Sequence, residues 1–407
     1  MERFVRLRSR LTRIRTGPLG QYIGLFVQEL GEQGYSADVI CTKIRLLDGF
    51  GVWLESKRLT AVNVDVAQID KYLRQRRQCP RYVDRPTLRR LLQFLVQKGV
   101  VPQQSDPEAP AAVLADEYAC YLEQERALAQ RSIPIYKSWA RRFLEAQFGD
   151  GEIEFAALTP PKVIEFVKLQ AARIGQKACK LMTTVLRSFF QFLRYREYIS
   201  LDLVTTVPAV ASWTMATIPK ALPSDQVERL LSACTRDTAT GRRDYAIILL
   251  MARLGLRPGE VAFLTLDDID WQLGCITVRG KGGQLAKLPL PIDVGDALVD
   301  YLRNGRPKTR IRKFFLSAQA PIHGFSCNRR ISMLVGEALK RAGIDSQRKG
   351  AHQLRHALAT GMLQRGASLR EIGEVLRHRD LQSTAIYAKV DLNSLREVAM
   401  PWPGGIR

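Results

Sequence analysis

Residues 351–387 read AHQLRHALATGMLQRGASLREIGEVLRHRDLQSTAIY. In that stretch stand His352, Arg355, His378 and Tyr387, two of the chain's four histidines among them. Apolar residues recur at helical spacing from Ala351 to Arg365 and again from Leu369 to Leu376, which predicts two helices. His352 and Arg355 are three residues apart, so both project from one helix face and can touch one anion. Tyr387 follows the apolar pair Ala385 and Ile386. The grouping reads as a phosphate clamp with a phenolic nucleophile.

Two upstream runs complete it. Arg257 lies in LGLRPGE and Lys281 in VRGKGGQ. Proline is tolerated at a first helical position, so Arg257 is expected to end a loop that feeds the helix containing Glu260, and Glu260 to orient its guanidinium. Cys275–Arg279 and Leu285–Leu290 are short apolar runs joined by Gly280, Lys281, Gly282 and Gly283, a β-hairpin pattern with Lys281 at the tip.

The chemistry follows from the residue types. A phosphodiester is anionic, so a nucleophile approaches it only where fixed positive charge neutralises its oxygens and the charge growing in the transition state. Arg257 and Arg355 suit that role, because a guanidinium stays protonated and offers a planar fork of donors. A tyrosine hydroxyl, with an ordinary pKa of about 10, attacks once a base or positive field lowers the cost of ionising it. Lys281 on a mobile tip can protonate the leaving alkoxide.

Singly, each residue has a plainer explanation: a solvated helix arginine, a turn lysine, a packed aromatic. Their joint order across one domain argues for the site. His352 and His356 stand four apart, a spacing that suggests zinc, but Gln353 occupies the place of the metalloprotease base and no third ligand is evident. The run GKGG lacks the phosphate-loop spacing and the Ser or Thr after lysine. No metal and no cofactor is expected. His323 is assigned no role.

These six positions resemble the active site of the tyrosine recombinases of the phage integrase family. There an arginine in an LR-x-x-E setting, a hairpin lysine, an H-x-x-R pair, a further His or Trp and a tyrosine nine residues beyond it fall in this order. Here they correspond to Arg257, Lys281, His352, Arg355, His378 and Tyr387. The resemblance implies cleavage by Tyr387 to give a 3′-phosphotyrosyl link and a free 5′-hydroxyl, then attack by a partner strand's 5′-hydroxyl. It further implies double-stranded DNA as partner and a homo-tetramer on two DNA sites. One departure is Arg377, standing where the family usually has glycine before the last histidine; it is expected to add a phosphate contact, the alternative being that it alters how the Tyr387 segment packs.

Composition agrees. The 407 residues carry a formal net charge of +22, a surface that attracts a polyanion. The 46% hydrophobic content allows two or three packed domains. Seven scattered cysteines without a C-x-x-C pair argue against a disulfide framework or a cysteine-rich zinc site and fit a cytoplasmic protein. Arg3, Arg6, Arg8, Arg10, Arg13 and Arg15 alternate with other residues and no apolar core follows, so a signal peptide is not expected; an arm on DNA and a solvated tail are both compatible. No apolar run reaches membrane-spanning length.

The expected fold is mainly α, with a small β-sheet in the last domain. Proline-rich stretches at 101–112 and 201–224 read as linkers. Between them, 112–205 carries helical patterns at Ala112–Glu125, Ser132–Gln147, Pro161–Arg173 and Gln176–Glu197. In the resemblance this all-helical bundle is the SAM-like core-binding domain. Residues 1–105 form an additional N-terminal helical module. Phe26–Leu30 resembles Tyr118–Leu122, and Leu91–Leu95 resembles Phe189–Leu193. Two explanations stand: a degenerate duplication, or two helical bundles alike by composition. Arm-site binding, contact with another protomer and recruitment of a partner recombinase all fit this module. Residues 220–407 form the mixed α+β catalytic domain, with strands at the hairpin and at Phe314–Leu316. Its tail, helical at Val390–Val398, either docks on a neighbouring subunit or packs on its own chain.

The function expected is site-specific DNA recombination serving integration, excision or transposition of a mobile element. The alternatives are a type IB topoisomerase and a catalytically silent DNA-binding accessory of the same fold.

Overall fold

The computed structural model describes residues 16–76, 83–102, 109–211, 221–280, 283–346, 350–378, 380 and 382–390. The N-terminal arginine run, Lys281 and the tail at Val390–Val398, apart from the backbone of Val390, lie outside these. The chain divides into two compact units, Gln104–Ala216 and a second combining Met1–Gln103 with Thr217–Arg407.

The second unit begins with helices α1 (Gly20–Glu32), α2 (Ala37–Ser56), α3 (Val66–Gln75) and α4 (Asp84–Gln97). Their apolar stripes close on Phe26, Leu47, Phe50, Ile69, Leu91 and Phe94, all buried. The Gln104–Ala216 unit holds α5 (Pro110–Gln124), α6 (Ile133–Phe148), α7 (Pro160–Ala171) and α8 (Gln176–Tyr195). Pro110 opens α5 instead of ending the linker, because a first-turn residue needs no N–H partner. In both groups a short 3₁₀ turn, Ala61–Asn63 or Phe155–Ala157, precedes the third helix. First and fourth helices meet through equivalent rings: Phe26 and Phe94 lie 5.3 Å apart, Tyr118 and Phe192 5.2 Å.

After Thr217 come α9 (Ser224–Ser232), α10 (Ala239–Leu254), α11 (Pro258–Phe263), strands β1 (Ile269–Asp270), β2 (Cys275–Arg279) and β3 (Leu285–Pro289), then α12 (Ile292–Asn304), α13 (Asn328–Arg341), α14 (His352–Gln364), α15 (Leu369–Leu376) and α16 (Gln382–Ala385), with a 3₁₀ stretch at Ile386–Val390. The strands pair antiparallel in the order β1-β2-β3, with Thr277 opposite Lys287, as the hairpin pattern predicts. Phe314–Leu316 is not a strand. One isolated bridge precedes it, Thr265 with Lys313, and another is made by its last residue, Leu316 with Gly324, while Phe314, Phe315 and Leu316 are buried. The third strand is instead the two-residue β1, too short to show alternation.

Helix α10 is buried on every side from Ala246 to Ala252, as a helix apolar all round must be. It packs against α12 and α14 and carries the site's backbone. Gly255 stops it in the left-handed conformation at φ 58°. A Cβ there would lie 2.7 Å from Leu376 and 2.9 Å from Leu358, so close packing and φ both require glycine. Among the described residues no helix is long and apolar enough to cross a membrane.

Candidate active site

The run LGLRPGE folds as its residue types dictate. Gly255 ends α10, Pro258 takes the first turn of α11, and Arg257 sits between them as the N-cap residue. Glu260, buried, accepts from the Arg257 backbone N–H at 2.8 Å and from its Nη1 at 2.8 Å. The carboxylate therefore orients the guanidinium, as expected from the sequence.

Helix α15 is bounded equally clearly. Ser368 and Glu371 form a capping box at its start. At its end the Arg377 N–H donates to Glu374 O at 3.0 Å and the His378 N–H to Gly373 O at 2.9 Å, the Schellman pattern. Arg377 occupies the left-handed position that this pattern reserves for glycine, at φ 55°.

The carbonyls of that turn face the cations. Arg355, 5% exposed, donates through Nη1 to Gly255 O and through Nη2 to Leu376 O. Arg257 Nη2 reaches Arg377 O at 3.2 Å. Cations at a helix C-terminus also meet its negative dipole end. One side chain thus ties the ends of α10 and α15 together.

Arg377 corrects the expectation of a phosphate contact. Its side chain is 13% exposed and turns inward, Nη2 donating to Glu260 Oε2 at 3.0 Å. A buried carboxylate is costly without paired donors, and Glu260 takes a guanidinium donor from each of two arginines. Arg377 Nε is buried and has no acceptor among the described residues. With Arg355 alongside, three guanidiniums surround a single carboxylate, leaving a positive surplus suited to an anion. Burial, then Arg257 and Arg377, press Arg355 down to about 10, still protonated at neutral pH.

A left-handed non-glycine residue costs roughly 1 kcal/mol, and a charged hydrogen bond contributes about 1.5–3 kcal/mol. Arg377→Ala keeps the strain and loses the pair, whereas Arg377→Gly loses both. Glycine is therefore expected to be the more stable variant by about 1 kcal/mol in chemical denaturation; equal stabilities would remove the strain from this account.

The histidines differ in setting. His352 opens α14 at the exposed rim; desolvation of its inner side, then Arg355 and Arg257, hold its pKa below the usual imidazole value. His378 accepts or donates at 2.7 Å between Nδ1 and Thr384 Oγ1. Burial, then Arg355, Arg257, His356 and Arg377, depress it to about 4, so it is neutral at pH 7.

Between about 4 and the unfolded value of 6.5 the unfolded chain binds the His378 proton and the folded chain does not. Stability is then lost as pH falls through that window. The thermal midpoint should drop from pH 6.5 to about 5, before most carboxylates protonate, and His378→Gln should flatten that slope. An unchanged slope would place the acid sensitivity elsewhere.

Tyr387 is carried by the 3₁₀ stretch after α16 and is 1% exposed. Its ring packs with Ala359, Ile372 and Leu376 of its own chain. It lies nearly parallel to the His378 ring, 6.5 Å between centroids. The Tyr387 hydroxyl meets His356 Nδ1 at 2.9 Å. Burial raises the phenol's pKa and Arg355 opposes the rise.

The structure thus brings five of the six expected residues into one region, Arg257, His352, Arg355, His378 and Tyr387, while Lys281 lies outside the described residues. The sequence reading missed His356. Its spacing from His352 drew attention only to zinc, and among the described residues no group of His, Cys, Asp and Glu could hold a metal ion.

Residues 220–393 match the phage integrase family. Over 99% of both chains the protein is 45% identical to the putative integrase/recombinase y4rA of Sinorhizobium fredii. It is 31% identical to the tyrosine recombinase XerD of Listeria monocytogenes, over 70% of this chain and 96% of that one. Among solved structures, XerH site-specific recombinase bound to a palindromic difH substrate matches with TM-score 0.51 and 16% identity over 95% of both chains. A lambda integrase tetramer bound to a Holliday junction matches with TM-score 0.52 and 16% identity, over 76% of this chain and 87% of that one. At these identities the two structures share the fold.

Proposed function

The chain belongs to the phage integrase family of tyrosine recombinases, and from that membership we propose the residues and assembly through which it works. It is a site-specific recombinase, an enzyme that cleaves and rejoins DNA. Tyr387 attacks the scissile phosphorus, giving a 3′-phosphotyrosyl ester and a free 5′-hydroxyl. Arg257 and Arg355 stabilise the charge growing on the phosphate oxygens. His352 and His378 contribute donors at the rim and beside the tyrosine ring, and Lys281 protonates the leaving 5′-oxygen. The ester conserves bond energy, so rejoining needs no nucleotide.

The observation that supports this reading most directly is the seat of Tyr387, where its own chain packs the ring beside Arg355 and His378. The net charge of +22 supplies attraction to the duplex backbone. We place residues 112–205 as the core-binding domain, 220–407 as the catalytic domain, and 1–105 as a further module derived by duplication, which serves arm-type DNA, another protomer or a partner recombinase. The shared helix order and the paired ring contacts support the duplication. Four protomers on two duplexes in the cytoplasm, acting for a mobile element, complete the proposal.

The test is a duplex of the recombination site, recovered by sequencing recombinant junctions and nicked beside the cleavage point so that the cut end diffuses away. The protein should accumulate as a denaturant-stable DNA adduct and exchange strands between two sites. Relaxation of a plasmid lacking the site, without exchange, would make it a topoisomerase instead.

A further inference from the structure

We propose that His356 is a catalytic residue, the base that takes the Tyr387 phenolic proton as the phenol attacks DNA. The inference rests on the reading of Tyr387 as nucleophile. It starts from the hydrogen bond between the reacting hydroxyl and His356 Nδ1, 2.9 Å long and within the range required for direct proton transfer. The other histidines are differently engaged. His378 has its Nδ1 on Thr384 Oγ1 and presents its ring parallel to the tyrosine ring, and His352 stands one helical turn away at the exposed rim.

The site creates a need for such a base. A phenol whose ring is 1% exposed gains little from water as proton acceptor. Burial makes its ionisation harder, and Arg355 offsets this only in part. His356 meets the Tyr387 hydroxyl from the 3₁₀ stretch and interacts with His378 at the end of α15, while Arg355, on the same helix as His356, acts on the Tyr387 phenol. A neutral imidazole at this position has a lone pair to accept the proton.

The step balances. The phenolic proton passes to His356 Nδ1 while the phenolic oxygen bonds to phosphorus and the bond from phosphorus to the 5′-oxygen breaks. That oxygen leaves with a proton from the general acid, Lys281 in the reading above. In rejoining, a 5′-hydroxyl gives its proton to the Lys281 amine as its oxygen bonds to phosphorus, the bond from phosphorus to the tyrosyl oxygen breaks, and the imidazolium returns its proton to the phenolate. The same residue thus serves both directions.

The experiment measures single-turnover adduct formation on the nicked duplex from pH 6 to 9.5 for the full chain and for His356→Gln, which keeps a polar side chain but cannot accept the proton. Circular dichroism and gel-shift binding to the intact duplex serve as controls, with His356→Asn as a second variant should glutamine fold poorly. A loss of roughly 10²-fold near pH 7 is expected. The deficit should shrink about tenfold per pH unit as hydroxide and phenol ionisation replace the base. A deficit equal at every pH makes His356 a positioning residue only, wild-type rates remove its role, and faster cleavage makes it a restraint on Tyr387. Each of these overturns the proposal. A wild-type chain that forms no adduct overturns the assignment of Tyr387 together with it.

Discussion

Tyr387→Phe is expected to abolish the covalent DNA adduct while leaving the fold intact. The ring fills a seat lined by Ala359, Ile372 and Leu376, and phenylalanine fills it equally, so packing is conserved. What is lost is a single hydroxyl. Its partner His356 forfeits one hydrogen bond, a cost of about 1 kcal/mol, too little to unfold the domain. The chemical cost is complete, since phenylalanine has no oxygen to carry the phosphoryl ester. The nicked duplex should give adduct with the wild type and none with the variant, at matching thermal midpoints and matching DNA binding. Adduct formed by the phenylalanine variant would move the nucleophile to another residue.

Arg355→Ala is expected to damage both chemistry and fold, unlike Arg257→Ala. From residue type alone the two arginines look equivalent, each lowering cleavage on removal while binding persists through other cations. Their settings separate them. Arg355 is 5% exposed and holds the carbonyls of Gly255 and Leu376, whereas the Arg257 side chain is 31% exposed. Removing Arg355 leaves two buried acceptors unsatisfied, at about 1.5–3 kcal/mol for each charged bond. A stability loss of roughly 3 kcal/mol or more, with cleavage down about 10²–10³-fold, is the expected result. Arg257→Ala should show a comparable kinetic loss with a smaller stability change, because Glu260 keeps the Arg377 donor and the backbone N–H of residue 257. Arg355→Lys should rescue neither fully, because an ammonium cannot bridge two carbonyls with a planar fork. Denaturation curves and single-turnover rates on the three variants decide it, and equal stability losses for both alanine variants would contradict the burial argument.

Sequence made local chemistry legible wherever the signal and its cause are neighbours. Leu254-Gly255-Leu256-Arg257-Pro258 carries a helix stop and a helix start, so the placement of Arg257 and its bond to Glu260 could be anticipated. The hairpin around Gly283 and the helix Leu369–Leu376 were legible for the same reason. What escaped depends on contacts between distant segments. The role of His356 shows only once Tyr387, 31 residues on, is folded against it. Arg377 looked like an extra phosphate contact because nothing in its own neighbourhood shows that Glu260, 117 residues earlier, is buried within its reach. Phe314–Leu316 has the apolar character of a strand, yet buried bulk is what its setting rewards, and an apolar triplet cannot separate the two.

The fastening of Arg355 has a mechanical consequence. A guanidinium is flat and rigid, and two of its donors are pinned to carbonyls at the ends of α10 and α15. Its aim is therefore fixed by two main-chain anchors, as a crossbeam is fixed by its posts. Neighbouring side chains can be exchanged without redirecting it, but inserting or deleting one residue in either helix-ending turn moves a post. Variation by substitution and variation by length thus meet very different tolerances here, and the α15 turn that leads on to Tyr387 is one of the two places where chain length is held.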